Sequence, residues 1–345
     1  MQKPFFSIII PAYNLENYIA AALQSVLVQT FQDFEIIIVD DGSSDETVSI
    51  IQSFHDPRIR LVSQVNGGVS RARNAGMKKA VGAYIAFLDG DDYWYPEHLE
   101  LAADFFNRHP EILAYANRYM RDELEAIPPR PPSYPESIRR LGIRGVLFMH
   151  PSSVILNSSL ASRLPPWEEA MPYGEDGLYW TRCTRGTGLI GLGGSVTSIY
   201  RQRASSAMHD EHYQHISLHS LIAPLLNELE AMKNPKWQFA VHYLVIRELH
   251  PKRLLSLNAE ERISLTGRIR KIMHPCLNRP FLDSYMKACS ARAGMEQSFS
   301  ALMDRTMFSC KWLDRLERMG HSLFFRLQTN NGMESKHQDP VRSRS

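Results

Sequence analysis

The sequence predicts an α/β protein: a Rossmann-like, mostly parallel sheet flanked by helices, with a helical C-terminal extension. Three observations carry this. Residues 5–10, 34–39 and 84–88 are short apolar runs, the first two rich in isoleucine, the pattern of strands buried on both faces of a parallel sheet. Segments with apolar residues at helical spacing stand between them, so strands and helices alternate. The strand ends are polar in a shared way: Pro11-Ala12-Tyr13-Asn14, Asp40-Asp41-Gly42 and Asp89-Gly90-Asp91-Asp92. In such sheets the ligand lies beyond the carboxyl ends of the strands, so these three should converge on one crevice.

Residues 5–10 give the first strand and 18–28 the helix after it. Residues 34–39 give the second strand. Ser43 and Glu46 have capping-box spacing, and 47–54 is the helix they would start. A short strand at 59–62, a helix at 70–80 ended near Gly82, and a strand at 84–88 follow. A helix over 96–108 opens on Pro96. Residues 127–135 then hold five prolines, read either as a polyproline surface loop or as a mobile lid over an acceptor. Residues 152–156 form another apolar strand, and 189–192 and 196–200 look like closing strands. Beyond residue 210 the pattern is helical. Leu221, Leu225 and Leu229 share a face, as do Val241, Leu244 and Val245. Phe308, Trp312, Leu316, Met319 and Leu323 line one side of a basic amphipathic helix, suited to an anionic membrane or to packing on its own domain.

With 345 residues the chain can form one large or two medium domains. Its 44% apolar and 22% charged residues are those of a globular protein, and a net charge of +2 predicts no nucleic-acid partner. Four cysteines (Cys183, Cys276, Cys289, Cys310) stand apart with no CxxC pair. That argues against a zinc site or disulfide framework and fits a reducing, cytoplasmic compartment. No run reaches the roughly eighteen apolar residues of a membrane span. The opening MQKPFFSIIIPAYN reads as a first strand rather than a leader.

The chemistry concentrates in acids. Asp89, Asp91 and Asp92 crowd the end of a predicted strand, and Asp40-Asp41 end another. An Asp-x-Asp alone often marks a solvated turn, but two acidic strand ends side by side suit a hard divalent cation that also holds phosphate oxygens. The spacing is not that of an EF-hand loop, so the ion would keep water, as Mg2+ does; Mn2+ also suits oxygen ligands. Asp40-Asp41 could bind a dinucleotide ribose only beside a Gly-x-Gly-x-x-Gly turn, and Pro-Ala-Tyr-Asn-Leu-Glu stands there instead. Arg71 and Arg73 follow Gly67-Gly68 at a helix start. They suit a diphosphate, or are simply an exposed pair. Glu175-Asp176 open a helix, where the dipole alone favours acids.

The segments SIIIPAYNLENYIAAALQSVLVQTF, EIIIVDDGSSDET, GVSRARNAGMKKAVGAYIAFLDGDD and the later Gly-Glu-Asp resemble glycosyltransferase family 2 in order and approximate spacing, over residues 5 to about 205. The resemblance implies a nucleotide-sugar-binding fold of the A type and inverting transfer of one sugar from a nucleoside diphosphate sugar, UDP-linked by preference. It assigns Pro11, Tyr13 and Asp41 to the base and ribose and Arg71 to the nucleotide. Asp91 becomes the main metal ligand, with Asp89 beside it nearer the ribose. Asp176 becomes the general base, and Glu175 shapes the site or touches the acceptor. The Q-x-x-R-W motif of processive members is absent; Tyr200-Arg201-Gln202-Arg203 stands in that region. A glycan or lipid-linked acceptor at the cytoplasmic membrane face is the expected partner.

The expected organisation is a catalytic domain at 1–209, a helical region at 210–328 and a disordered tail at 329–345. The catalytic domain divides into a nucleotide-sugar half, 1–95, and an acceptor half, 96–209. A nucleotidyltransferase would share the metal and the nucleotide but needs a Gly-rich loop after strand one. A non-catalytic binding scaffold would not need Asp41, Asp89, Asp91 and Asp176 intact, and all four are present.

Overall fold

A computed structural model describes residues 3–122, 127–129, 131–139, 149–187, 189–202 and 218–231. Its nucleotide-sugar half is laid down by the alternation in the sequence. Strand β1 (Phe6–Ala12) is followed by helix α1 (Ile19–Leu27), and β2 (Phe34–Asp40) by α2 (Thr47–Gln52). Then come β3 (Ile59–Ser63), α3 (Val69–Met77) and β4 (Tyr84–Phe87). β1 lies in parallel register between β2 and β4, and β3 extends the parallel run beyond β2.

Because side chains alternate along a strand, the isoleucine runs feed two cores. Ile8, Ile10, Ile36 and Ile38 face α1 and pack with Leu23 and Val26. Ile37 and Val39 turn to the other face and pack with Ala72 of α3. Each such side chain contributes about 1.5–3 kcal/mol on burial. Gly76 lets α3 press onto the sheet: a Cβ there would sit 2.5 Å from Cγ2 of Ile9.

The second half departs from simple alternation. A two-residue strand β5 (Tyr93–Trp94) leads into α4 (His98–Arg108), β6 (Ala114–Asp122) and β7 (Ser137–Arg139). A single 3-10 turn, Pro151–Ser153, precedes β8 (Val154–Asn157) and the short α5 (Ser158–Ala161). Then follow α6 (Glu175–Thr187), β9 (Ile190–Arg201) and α7 (Leu218–Ala231). Among the described residues the sheet runs β3-β2-β1-β4-β8-β6-β9-β5, with β7 also on β9. β8 is antiparallel to both β4 and β6, while β6 and β9 are parallel.

Three expectations need correction. The capping box does not form: α2 takes Glu46 as its N-cap without a side-chain bond, and the Ser43 hydroxyl instead accepts the Asn14 N–H. Asp45 takes over the local capping, accepting from Thr47 N–H and Glu16 N–H. The two closing strands are one. β9 passes through Gly193-Gly194 because its pairing with β6 slips between Leu192 and Val196, and neighbours crowd both glycines. β6 has no β-branched residue and was invisible to periodicity, yet Ala114, Tyr115, Ala116 and Asn117 are all buried. Where it is described, the proline-rich stretch lies at the surface, as a polyproline surface loop would, and is tied down at two points. Tyr134 N–H donates to the Gly194 carbonyl, and the Tyr95 hydroxyl donates to the Pro128 carbonyl.

In α7, Leu225 and Leu226 are buried, and Glu228 pairs with Arg182 of α6 at 3.0 Å. The remaining helical expectations, at 241–245 and 308–323, and the tail at 329–345 lie outside the described residues. Among the described residues no helix is long and apolar enough to cross a membrane.

Candidate active site

The carboxyl ends of β1, β2 and β4 meet as the topology requires. β1 ends at Pro11 and Ala12, both buried. The Ala12 carbonyl accepts the Asp41 N–H from the β2 side. The Pro11 nitrogen therefore faces the other neighbour, β4, whose pairing stops at Ile9 opposite Phe87. A proline costs no ladder bond there. Tyr13, 49% exposed, stands open at the rim. Asn14 takes a left-handed φ of 50° and locks this turn to the next strand end, its side-chain carbonyl accepting the Ser44 N–H.

Asp41 is buried at the end of β2 and accepts from Gly68 N–H at 2.7 Å, Gly67 N–H at 3.0 Å and Gln64 Nε2 at 2.6 Å. It thus gathers the 64–68 loop against the start of α3. Gly68 has φ +89°, a left-handed conformation in which a side chain would be strained. Gly67 leaves room for the Arg71 side chain, whose Cδ would lie 2.3 Å from an added Cβ.

Arg71 and Arg73, near neighbours in the sequence, part company in the fold. Residues two apart on a helix do not share a face, and that spacing was the available signal. Arg71 is exposed, whereas Arg73 is buried and points inward. Its Nη2 donates to Asp89 Oδ1 at 2.7 Å and its Nη1 to Glu175 Oε1 at 2.9 Å. Its guanidinium lies 4.5 Å above the Trp167 ring, itself stacked on Tyr179. The two carboxylates hold Arg73 protonated despite its burial. One cation therefore joins the Asp-x-Asp loop to the start of α6, where Asp176 follows Glu175. Burial and the Asp176 charge outweigh Arg73 and push the Glu175 carboxyl up to about 7.

The Asp-x-Asp loop itself is dense in negative charge. Asp92 is wholly buried, and burial together with Asp91 and Asp89 raises its carboxyl above the usual range. His150 stands beside it, Nδ1 at 3.4 Å from Asp92 Oδ2 and Nε2 at 3.9 Å from Asp89 Oδ2. Ligand atoms of Asp89, Asp92 and His150 lie within 4.8 Å of one another. These carboxylates crowd one loop, where Arg73 offsets the charge of Asp89. The loop's donors are mainly hard oxygens, so the residues present fit Mg2+ or Mn2+.

His150, Ser152 and Arg201, none of them expected at the site, surround this loop. Ser152 Oγ accepts the Asp89 N–H at 3.0 Å, and Arg201 Nε donates to the Asp91 carbonyl at 2.8 Å. Ser152 falls in a predicted strand, Arg201 stands in the region of the absent Q-x-x-R-W motif without a site role, and no local pattern marks His150.

With this arrangement in view, the model of the family "Glycosyl transferase family 2" matches residues 7–162. That segment belongs to glycosyltransferase family 2. The family 2 segment includes Asp41, Arg73 and the whole Asp89–Asp92 loop. The uncharacterized glycosyltransferase EpsJ of Bacillus subtilis is 50% identical over 92 residues, 26% of this chain and 27% of that protein. The chain thus spans about a quarter of that relative. Among solved structures, S. aureus TarS 1-349 in complex with UDP-GlcNAc aligns with a TM-score of 0.64 at 20% identity, covering 88% of this chain and 91% of that one. A mannosyltransferase from Pyrobaculum calidifontis, in complex with GDP-Man and Mn2+, aligns at 0.53 and 16% identity, covering 90% and 89%. At these identities the two structures establish a shared fold.

Proposed function

We propose that the chain is an inverting glycosyltransferase that moves one hexosyl or N-acetylhexosaminyl unit from a UDP-sugar to a hydroxyl of a glycan or lipid-linked acceptor. The observation that carries this reading is the Arg73 bridge, which brings the Asp89–Asp91 loop and the Glu175-Asp176 helix start to one crevice. The UDP-GlcNAc complex of TarS supports the choice of donor.

Each residue has a chemical task. Tyr13, Pro11 and Asp41 border the place for base and ribose, and exposed Arg71 stands at the start of α3, whose N-terminus favours phosphate. Asp91 and Asp89 hold the divalent cation, Mn2+ or Mg2+. When bound, that ion offsets the charge developing on the departing diphosphate. Asp176 takes the proton from the acceptor hydroxyl as its oxygen attacks the anomeric carbon from the face opposite the diphosphate. The C–O bond to the acceptor forms as the C–O bond to the diphosphate breaks, and one displacement inverts the configuration, by the geometry familiar from inverting glycosidases. Glu175 stays on Arg73 and fixes the helix start that aims Asp176.

The deciding experiment is calorimetric titration with a panel of nucleoside diphosphates, with and without Mn2+, followed by donor-turnover assays. Tight Mn2+-dependent binding of UDP with slow donor hydrolysis is expected. Binding of none of them would overturn the reading.

A further inference from the structure

The Asp-x-Asp loop carries a third acid that this chemistry leaves unused. Asp92 has no exposed surface. Its Oδ2 accepts the Ser152 hydroxyl, and its Oδ1 accepts the Arg201 N–H at 3.0 Å. The same Ser152 oxygen accepts the Asp89 N–H, and the Arg201 side chain reaches the Asp91 carbonyl. The Asp92 N–H closes the turn on the Asp89 carbonyl at 2.9 Å. Residues 89, 91 and 92 are therefore each tied to a distant strand, at the head of β8 or the end of β9.

Asp92 belongs to the group whose atoms approach one another closely enough for a metal. Its environment points elsewhere. Both carboxylate oxygens already accept hydrogen bonds from the protein, and a buried carboxylate so satisfied is a structural anchor. A turn containing glycine has few conformational restraints of its own, and Gly90 sits at the middle of this one.

We infer that Asp92 and Ser152 are positioning residues that clamp the Asp89–Asp91 loop onto β8 and β9, and that Asp92 is not itself a metal ligand. In calling the clamped loop metal-holding, the inference rests on the reading under Proposed function. The clamp fixes the direction in which Asp91 and Asp89 present their oxygens. It also ties the donor side of the crevice to the last strand of the acceptor half.

Two measurements on the full chain test this, with Ser152→Ala, Ser152→Thr and Asp92→Asn. The first is hydrogen exchange of the peptide spanning residues 87–94 without ligand. Ser152→Ala and Asp92→Asn should exchange there at least tenfold faster, with Ser152→Thr restoring protection by restoring the hydroxyl. The second is Mn2+ binding in the presence of UDP, by calorimetry. Both deleting variants should weaken Mn2+ about tenfold without abolishing it. Loss of Mn2+ binding in Asp92→Asn, with Ser152→Ala like wild type in both measurements, would make Asp92 a ligand and overturn the inference. Unchanged exchange and unchanged Mn2+ affinity in both would overturn it as well. If wild type itself bound no Mn2+ with UDP, the proposed function would fall and the exchange result alone would decide the clamp. Should Asp92→Asn not fold, the Ser152→Ala and Ser152→Thr pair decides.

Discussion

Arg73 and Glu175 stand 102 residues apart in the chain and pair at 2.9 Å in a buried ion pair. With Asp89 on its second nitrogen, Arg73 balances two carboxylates that burial would otherwise disfavour. Removing one partner from such a set leaves charge buried without compensation.

Arg73→Met should therefore destabilise the fold by about 3–5 kcal/mol, the range for breaking a buried pair. Arg73→Lys should lose less, because an ammonium keeps the charge but lacks the planar fork that spans two carboxylates. Urea denaturation of the three proteins checks this. Equal stability of Arg73→Met and wild type would remove the bridge as an organising element.

Glu175 gives the site a pH signature. Its carboxyl, near 7 in the folded protein, keeps its proton across a range where the unfolded chain, near the ordinary 4.5, has released it. This group's contribution to stability is thus full below about pH 4.5 and is lost as pH rises to 7. Glu175→Gln does not titrate, so its stability relative to wild type should improve between pH 5 and pH 8, by up to about 3 kcal/mol. Thermal unfolding of both proteins across that range reads the difference directly, and parallel curves would refute the raised carboxyl.

Asp41 holds the 64–68 loop by accepting from two backbone N–H groups and Gln64. Asp41→Asn turns one acceptor oxygen into a donor that faces these donors. Hydrogen bonds to charged groups are worth about 1.5–3 kcal/mol, so a loss of about 2 kcal/mol in stability is expected. UDP affinity should fall about tenfold in the same variant, because the loop borders the proposed base site. Calorimetry and denaturation on one preparation measure both.

The sheet was legible because its isoleucine runs state their burial outright: Ile8 and Ile10 go to one face, Ile9 to the other, and all are buried. The acids at the strand ends were legible for the same reason, since each followed a recognisable strand. Arg73 was not legible as a buried bridge: paired with Arg71 it suited a diphosphate or a plain exposed pair, and only its place on the inner face of α3 separates the two. Ser152, His150 and Arg201 carry no local sign of their contacts with the acidic loop. Their partners lie about 60 to 110 residues away, joined by strand pairings between β4, β8, β6 and β9 that no local pattern encodes. β6 was lost because its burial comes from Ala, Tyr and Asn, whose β-propensity depends on what they pack against.

Asp91 is the residue on which metal dependence should turn. Asp91→Ala and treatment of wild type with a chelator should have the same result, loss of UDP binding and of turnover together. Mn2+ added back should restore the chelated wild type and leave Asp91→Ala inactive. Full Mn2+ response in the variant would sink the assignment.

The proposed roles give Asp176 a task distinct from that of Asp91. It opens α6 beside Glu175, and its Oδ1 accepts the Gly177 N–H at 2.6 Å. Asp176→Asn preserves shape and this acceptor but removes the ability to take a proton. General base catalysis is typically worth about a hundred- to ten-thousand-fold, so kcat should fall within that range while UDP and Mn2+ bind as in wild type. Single-turnover transfer with a saturating donor, alongside calorimetric binding, separates the two. Transfer at the wild-type rate would reassign the base. Weakened donor binding with kcat retained would place Asp176 on the donor rather than the acceptor.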